Sequence, residues 1–450
     1  MNLNEKIEKA KEEILAASES SFYIVAYSGG KDSSVALDLT LSTLKENSLK
    51  NPVYILISRT ESEYPEFERY LEKTLSDLKE YLKRSGMENV KIIEGSPEDE
   101  KRFLYLIIGK GYPVPRNNMS WCNLKKKLEV MEKIEENLKK KHKDLIPVKI
   151  IGTRKEEGAT RAKKIDKYHS KVKDGILSLM PLRDFTTGDI WIYIDRFFSF
   201  NKDELLKLYD NVEINDSNST RQGCWFCPLI KTDPFLRNNY PSIEKYRKFL
   251  REYMLAPGTR YEISRDFTKK VAGPYKMEIR EKFFKELVRE VSKTKNPFDF
   301  ISEKEINDIQ KEHVKEGWLT LNIFKEYLKL HNNKNIKSFI TSTDSINVLF
   351  PRFRAVRESE WFKDVKVSEF CTGVARRILL KEDVLYGYKL KTIETPVDNL
   401  DISEELKKEY AKLQEKETRT RIPLKRDLLR LSLKIMHNYL YYLHKFHPEK

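Results

Sequence analysis

Phe22-Tyr23-Ile24-Val25-Ala26-Tyr27 is an apolar run of strand length, and it breaks into Ser28-Gly29-Gly30 just before a helical pattern begins. This order of strand, glycine turn and helix constrains the fold more than any other feature. The helical periodicity runs over Val35 to Lys45, and the pattern then repeats. Val53-Tyr54-Ile55-Leu56-Ile57, Val90-Lys91-Ile92-Ile93 and Lys149-Ile150-Ile151 are further strand candidates, with helices predicted over Phe67 to Arg84 and Asp99 to Ile108. Apolar strands alternating with helices predict βαβ units: an α/β fold whose parallel sheet is covered by helices on both faces. Ligands of such folds sit at the carboxyl ends of the strands.

From about residue 235 the pattern becomes helical. Helices are predicted over Tyr240 to Tyr253, Lys276 to Lys293, Glu303 to Glu316, Leu319 to His331 and Ser403 to Tyr442, the last broken near Pro423. The organisation expected is an α/β domain over 1–234, a helical extension over 235–300 and a mainly α-helical, basic C-terminal domain over 301–450. A chain of 450 residues can bury a large core without disulfide staples. Its cysteines, Cys122, Cys224, Cys227 and Cys371, are too few for a disulfide scaffold. No apolar run approaches the length of a membrane span, and Met1 to Ser20 reads as an amphipathic helix, not a signal peptide. A cytoplasmic protein with no membrane partner is expected.

The turn Tyr27-Ser28-Gly29-Gly30-Lys31-Asp32-Ser33-Ser34 carries the chemistry. Glycines let a ligand approach the backbone, and the amides and dipole at the following helix start favour an anion. Ser28, Ser33 and Ser34 add hydroxyls and Lys31 a cation. Together they suit a pyrophosphate. The turn is neither G-x-x-x-x-G-K-[ST] nor G-x-G-x-x-G. A plain turn with an Asp/Ser helix cap is the alternative.

S-G-G-K-D-S resembles the PP-loop signature S-G-G-x-D-S of ATP pyrophosphatases, which cleave ATP between its α and β phosphates and adenylylate an acceptor. In the phosphoadenosine phosphosulfate (PAPS) reductase branch, the same loop holds a sulfonucleotide. The resemblance implies that Ser28, Gly29, Gly30, Lys31, Asp32, Ser33 and Ser34 bind ATP (or PAPS) with Mg²⁺, and that Lys31 and Asp32 are catalytic. No residue stands out as a general base. Thr60-Glu61-Ser62-Glu63-Tyr64-Pro65-Glu66 resembles that branch's D-T-G-x-x-x-P-E segment in its Thr and Pro-Glu but lacks the Asp and Gly; Glu63 and Glu66 are otherwise first-turn acids. Gly152-Thr153-Arg154-Lys155-Glu156-Glu157-Gly158-Ala159-Thr160-Arg161 resembles G-x-R-x-x-E-S-x-x-R, with Gly158 in place of Ser. By analogy Arg154 and Arg161 bind phosphate or sulfate, as Arg forks suit such anions; surface charge is the alternative. Met180 to Trp191 resembles the family's P-L-x-x-W-T-x-x-D-V-W helix start, which Thr186 or Thr187 would cap.

Cys224-Trp225-Phe226-Cys227 is a C-x2-C pair, and Cys122 follows Trp121. Three thiolates from two loops can hold an iron–sulfur cluster or zinc. A redox pair or buried thiols are the alternatives. Arg221-Gln222-Gly223-Cys224-Trp225-Phe226-Cys227 resembles the R-x-G-C-W-x-C word of DndC proteins, which act in DNA phosphorothioation, and Gly273-Pro274-Tyr275 resembles their P-G-P-Y segment. The likeness spans about residues 20 to 295. It implies a cluster of the 4Fe-4S type on Cys122, Cys224 and Cys227. Those proteins carry a further cysteine shortly before the C-x2-C, and Asn211 to Gln222 contains none. The fourth ligand would be Cys371, an external substrate or nothing; an open iron could hold sulfide for transfer.

The function so implied is an ATP pyrophosphatase and sulfurtransferase that adenylylates the DNA backbone for sulfur insertion. A cysteine desulfurase as sulfur donor and other modification-system subunits would be its partners. One alternative is PAPS or adenosine phosphosulfate reduction releasing sulfite, although the E-C-G-[LI]-H cysteine word of assimilatory reductases is missing. Another is a non-catalytic nucleotide- and nucleic-acid-binding subunit. The formal charge of +15 suits a polyanionic partner or a Lys/Glu-rich solvated surface. Two basic runs, Arg352, Arg354 and Arg357 among Phe350, Phe353 and Trp361, and Arg419, Arg421, Lys425, Arg426, Arg430 and Lys434, suit a phosphate backbone; acidic residues pervade the same region, and a solvated helical surface is the alternative. His331, His437, His444 and His447 show no ligand spacing.

Overall fold

A computed structural model describes residues 1–116, 119–209, 224–230, 233–316, 365–380 and 393–446. The chain divides into two units, residues 1–98 with 117–239 and residues 99–116 with 240–450.

The first unit is built on a six-stranded sheet in the order β3-β2-β1-β4-β6-β5. The strands are β1 Ser21–Tyr27, β2 Val53–Ser58, β3 Val90–Gly95, β4 Ile146–Ile151, β5 Lys171–Lys173 and β6 Ile176–Leu179. All pairings are parallel except β5 with β6. The four strands expected from the sequence are consecutive in the sheet, from β3 at one edge to β4. The two at the far edge gave no apolar run, because β5 is exposed at each residue and β6 spans four. Central β1 is buried along nearly its whole length because helices cover both faces. Tyr23, Val25 and Leu39 pack in one core, and Phe22, Ile24, Tyr54, Leu56 and Leu138 in the other.

Tyr27 pairs with Ile57 and Ala26 with Ile151. That register brings three loops to one edge: the glycine turn, the segment after Ser58 and the segment after Ile151. The helix Lys31–Glu46 leaves the glycine turn, Pro65–Arg84 starts with proline at its first position, and Thr187–Arg196 is closed by a Thr186/Asp189 capping box.

One expectation is corrected. Asp99 to Ile108 is not the crossover helix between β3 and β4; that role falls to Glu129–Lys141. Asp99–Lys101 is a 3₁₀ turn, Tyr105–Gly109 a π-helical turn, and both belong to the second unit. The run Tyr105-Leu106-Ile107-Ile108 is apolar all round, so it is buried on every side instead of lying on a sheet.

The second unit contains the helices Pro241–Glu252, Met277–Val291, Glu303–Lys315, Val367–Leu379, Glu404–Arg419 and Pro423–Phe446. The Ile108 carbonyl accepts hydrogen bonds from Arg280 Nε and His313 Nε2, each 2.8 Å long. Tyr105 Oη donates to Glu312 at 2.8 Å. Phe370, Val374, Ile435 and Leu440 form part of its core. Leu319 to His331, the run from Phe350 to Trp361 with Arg352, Arg354 and Arg357, and His447 lie outside the described residues. No described helix is long and apolar enough to cross a membrane.

Candidate functional site

The glycine turn sits at the carboxyl end of β1. Gly29 has φ +75°, and a Cβ there would lie 3.1 Å from Leu71 Cδ1 and 3.2 Å from Phe67 Cζ. Both backbone angle and space therefore demand glycine. Tyr70 Oη donates to the Gly29 carbonyl at 3.0 Å. Gly30 caps the helix without a side chain. Ser33 Oγ donates to the Gly30 carbonyl at 2.9 Å and accepts from the Ser28 amide at 3.2 Å, which fixes the bend from inside. First-turn amides have no partner within their own helix. The Lys31 amide is met by Tyr209 Oη at 3.3 Å, and burial pushes that phenol up to about 12.

Asp32 gathers the cations. Lys31 Nζ lies 3.0 Å from one of its carboxylate oxygens and Arg154 Nε 2.6 Å from the other. Arg154 is 4% exposed and also pairs with Glu156 at 2.7 Å. Glu156 in turn accepts from the Thr187 amide at 2.6 Å; burial works against its charge, but the Thr187 and Arg154 bonds win and hold its carboxyl below the ordinary value. Arg161 pairs with Glu157, whose other oxygen accepts from the Arg154 amide at 3.0 Å. Ser28 to Ser34 and Arg154 thus form one cluster, with Arg161 tied to it through Glu157.

The thiols form a second cluster on the same unit. Trp225 donates its amide to the Ser62 carbonyl at 3.0 Å, which anchors the Cys224–Cys227 turn to the loop after β2. Lys126, one turn beyond Cys122, is 3% exposed. Its ammonium bonds Ser62 Oγ and stands 5.1 Å over the Phe226 ring. Burial pushes the Cys224 thiol up to about 11, with Lys126 pulling it down. Burial and the neighbouring Cys227 raise Cys122, and Lys126 again opposes. No three His, Cys, Asp or Glu side chains among the described residues stand in metal-ligating geometry, for Mg²⁺ or for iron. The donor set itself suits a soft metal: three thiols on two segments beside a buried cation.

Cys371 does not join this set. It is fully buried in the apolar core of the second unit, and burial raises its thiol far above the ordinary value. It behaves as a small apolar residue. Arg221, Gln222 and Gly223 lie outside the described residues. Sequence reasoning missed Lys126, Ser62, Glu156 and Tyr209. Lys126 hides in the run Lys125-Lys126-Lys127, and nothing local distinguishes it.

Residues 23–230 match the pattern of the phosphoadenosine phosphosulfate reductase domain. The uncharacterized protein MJ0066 of Methanocaldococcus jannaschii is 28% identical over 234 residues, 51% of this chain and 42% of that protein. The uncharacterized protein MJ0973 of the same organism is 26% identical over 212 residues, 47% of this chain and 43% of that one. The chain thus spans less than half the length of these curated relatives. A phosphate complex of PAPS reductase from Candida auris is 15% identical, with TM-score 0.31, covering 50% of this chain and 94% of that one. The U34-tRNA thiolase NcsA from Methanococcus maripaludis, solved with its [4Fe-4S] cluster, is 13% identical, with TM-score 0.26, covering 62% and 88%. Superpositions this loose transfer no contact.

Proposed function

We propose that this chain, whose residues 23–230 carry a PAPS reductase domain, binds ATP on Ser28–Ser34 and adenylylates an acceptor for sulfur insertion. The observation that carries the reading is the shared carboxylate of Asp32. It holds Lys31 and Arg154 at the mouth of the glycine turn, two cations that a triphosphate can recruit.

In the proposed reaction an acceptor oxygen attacks the α-phosphorus. The new P–O bond forms as the α–β bridging bond breaks, and pyrophosphate leaves. Lys31, Arg154 and the first-turn amides hold the developing charge, so positioning and electrostatics supply most of the acceleration. Sulfur then displaces AMP from the acceptor. Cys122, Cys224 and Cys227 would hold an iron–sulfur cluster, which when bound supplies a soft Lewis acid for hydrosulfide. Lys126 keeps the thiol-bearing segments together and offsets their negative charge. A cysteine desulfurase would supply the sulfur as a persulfide, which an external thiol reductant would reduce to hydrosulfide, the thiol leaving as a disulfide. The DNA backbone is the acceptor we favour, on the R-Q-G-C-W-F-C word and the basic charge of +15.

Incubation with α-labelled ATP and DNA tests this. Pyrophosphate and labelled adenylyl-acceptor are expected, with no sulfite from PAPS. ATP bound without turnover would reduce the chain to a nucleotide-binding subunit. Sulfite from PAPS would establish the reductase, the reading the domain match favours; burial of Cys371 argues against it, because a thiol that attacks sulfate must be accessible.

A further inference from the structure

The helix Ala159–Tyr168 lies along the same edge of the sheet as the glycine turn. It starts from Gly158, in the segment after β4, and its far end is held at the end of β6. There Ser170 donates its amide to the Ser178 carbonyl at 2.8 Å, and His169 Nδ1 accepts from the Met180 amide at 3.1 Å. β6 runs parallel to β4, so both ends of the helix stand at carboxyl ends of strands. Of its ten residues only Ile165 is buried. Its first turn meets the candidate site through the pairing of Arg161 with Glu157.

The exposed face of this helix is basic without compensation. Lys163, Lys164 and Lys167 are exposed and meet no carboxylate among the described residues. The one acid of the helix, Asp166, is taken by Lys155 at 2.9 Å. Tyr168 ties the helix to the exposed strand β5. Lys167 Nζ stands 5.0 Å from the centre of its ring and Lys173 Nζ, from β5, 5.5 Å. Lys167 foremost, with Lys173, holds that phenol below its ordinary value. Lys173 reaches an acid, Asp174, only at 3.8 Å. The helix Glu404–Arg419 is the contrast, because there cations meet acids one turn away: Lys407 lies 3.3 Å from Glu404 and Arg419 2.6 Å from Glu415. Cations left uncompensated on one face raise the local potential and draw in a polyanion.

We propose that the helix Ala159–Tyr168, with Lys173 of the neighbouring strand, is a docking surface for the backbone of duplex DNA and leads that backbone to the nucleotide site. The choice of DNA rests on the function proposed above; the surface stands on its charge and its place at the carboxyl edge. Each phosphate that a lysine neutralises releases a counterion and steepens the salt dependence of binding.

The test uses the full chain, a fluorescent DNA duplex and the triple variant Lys163→Gln, Lys164→Gln and Lys167→Gln. The variant is expected to weaken duplex binding about tenfold or more at low salt and to flatten the log K against log salt slope by about two to three. The corresponding Lys→Arg changes should keep both. ATP affinity by equilibrium dialysis should stay at the parent value. Removing three charges from the helix Glu404–Arg419 instead, by Lys408→Gln, Lys412→Gln and Lys416→Gln, should leave affinity and slope unchanged. Equal loss in the two triple variants would overturn the surface in favour of net charge alone. Unaltered affinity and slope in the first would overturn it while leaving adenylylation intact. Weakened duplex binding in that variant, beside a parent that never adenylylates DNA, would keep the surface and remove the proposed reaction. Preference for a structured RNA over the duplex would overturn the DNA partner.

Discussion

Gly152 backs directly onto Asp32: a Cβ on Gly152 would stand 2.6 Å from the Asp32 carbonyl oxygen and 3.0 Å from the Ser33 Cα. The end of β4 is therefore in backbone contact with the first turn of the helix that leaves the glycine bend. Gly152→Ala must push Lys31 to Ser33 away from β4. Overpacking of this kind costs about 1–3 kcal/mol. ATP affinity by equilibrium dialysis is expected to fall at least tenfold; wild-type affinity would show that the contact does not set the loop.

Asp32 neutralises Lys31 and Arg154 at 3.0 and 2.6 Å. An incoming pyrophosphate competes with that carboxylate for the same cations. Asp32→Asn should tighten pyrophosphate binding several-fold in Mg²⁺-free buffer, about 1 kcal/mol, while slowing ATP cleavage. Weaker binding in calorimetry would mean that Asp32 orders the cations instead of competing for them.

Cys122, Cys224 and Cys227 are the thiols grouped with Lys126, and the Cys122 and Cys224 thiols are raised by burial. Each Cys→Ser change is expected to reduce iron bound after anaerobic reconstitution. Metal loading of the parent should release protons, read as a buffer-dependent heat. Cys371→Ser should keep full iron content yet lower the melting temperature, since it places a hydroxyl in an apolar core at a cost of about 1–3 kcal/mol. Iron lost only in Cys371→Ser would reverse the assignment.

His313 is buried and neutral. Burial, with Arg280 beside it, drives it down to about 3. Its unfolded value is about 6.5. A depressed folded value means the stability it contributes is complete above pH 6.5 and is lost as pH falls toward 3, at up to about 1.4 kcal/mol per pH unit. Glu316, which Arg265 and Arg280 hold at about 2 against the opposing effect of burial, adds its loss only below its ordinary 4.5. As pH falls from 6.5 to 4.5, the hydrogen-exchange protection factors of the helix Glu303–Lys315, taken against the intrinsic rate at each pH, should fall in the parent. In His313→Gln, whose amide can still donate to the Ile108 carbonyl, that response should flatten. Equal pH response in both would remove His313 as the cause.

Much of the first unit was legible because its signals are local. A buried parallel strand reads as an apolar run, and a bend that must accept φ +75° against Leu71 and Phe67 reads as glycine. The words around Gly152, Arg154 and Cys224 are likewise local, and they pointed to residues of the candidate site. Asp99 to Ile108 misled because an apolar run has no direction in sequence. Whether it covers a sheet or fills a helical core depends on partners such as Arg280 and His313, some 170 to 200 residues away.

Local backbone demands and hydrophobic pattern alone determined the α/β sheet and the glycine bend, and residue type at C-x2-C spacing marked the cysteines. Only the folded chain decided that Asp32 binds two cations, that Lys126 leaves its lysine run to stand among thiols, and that Cys371 is core. The reason is range. Dihedral preference and burial act on residues adjacent in sequence, whereas charge and hydrogen bonding pair whatever side chains the register brings together.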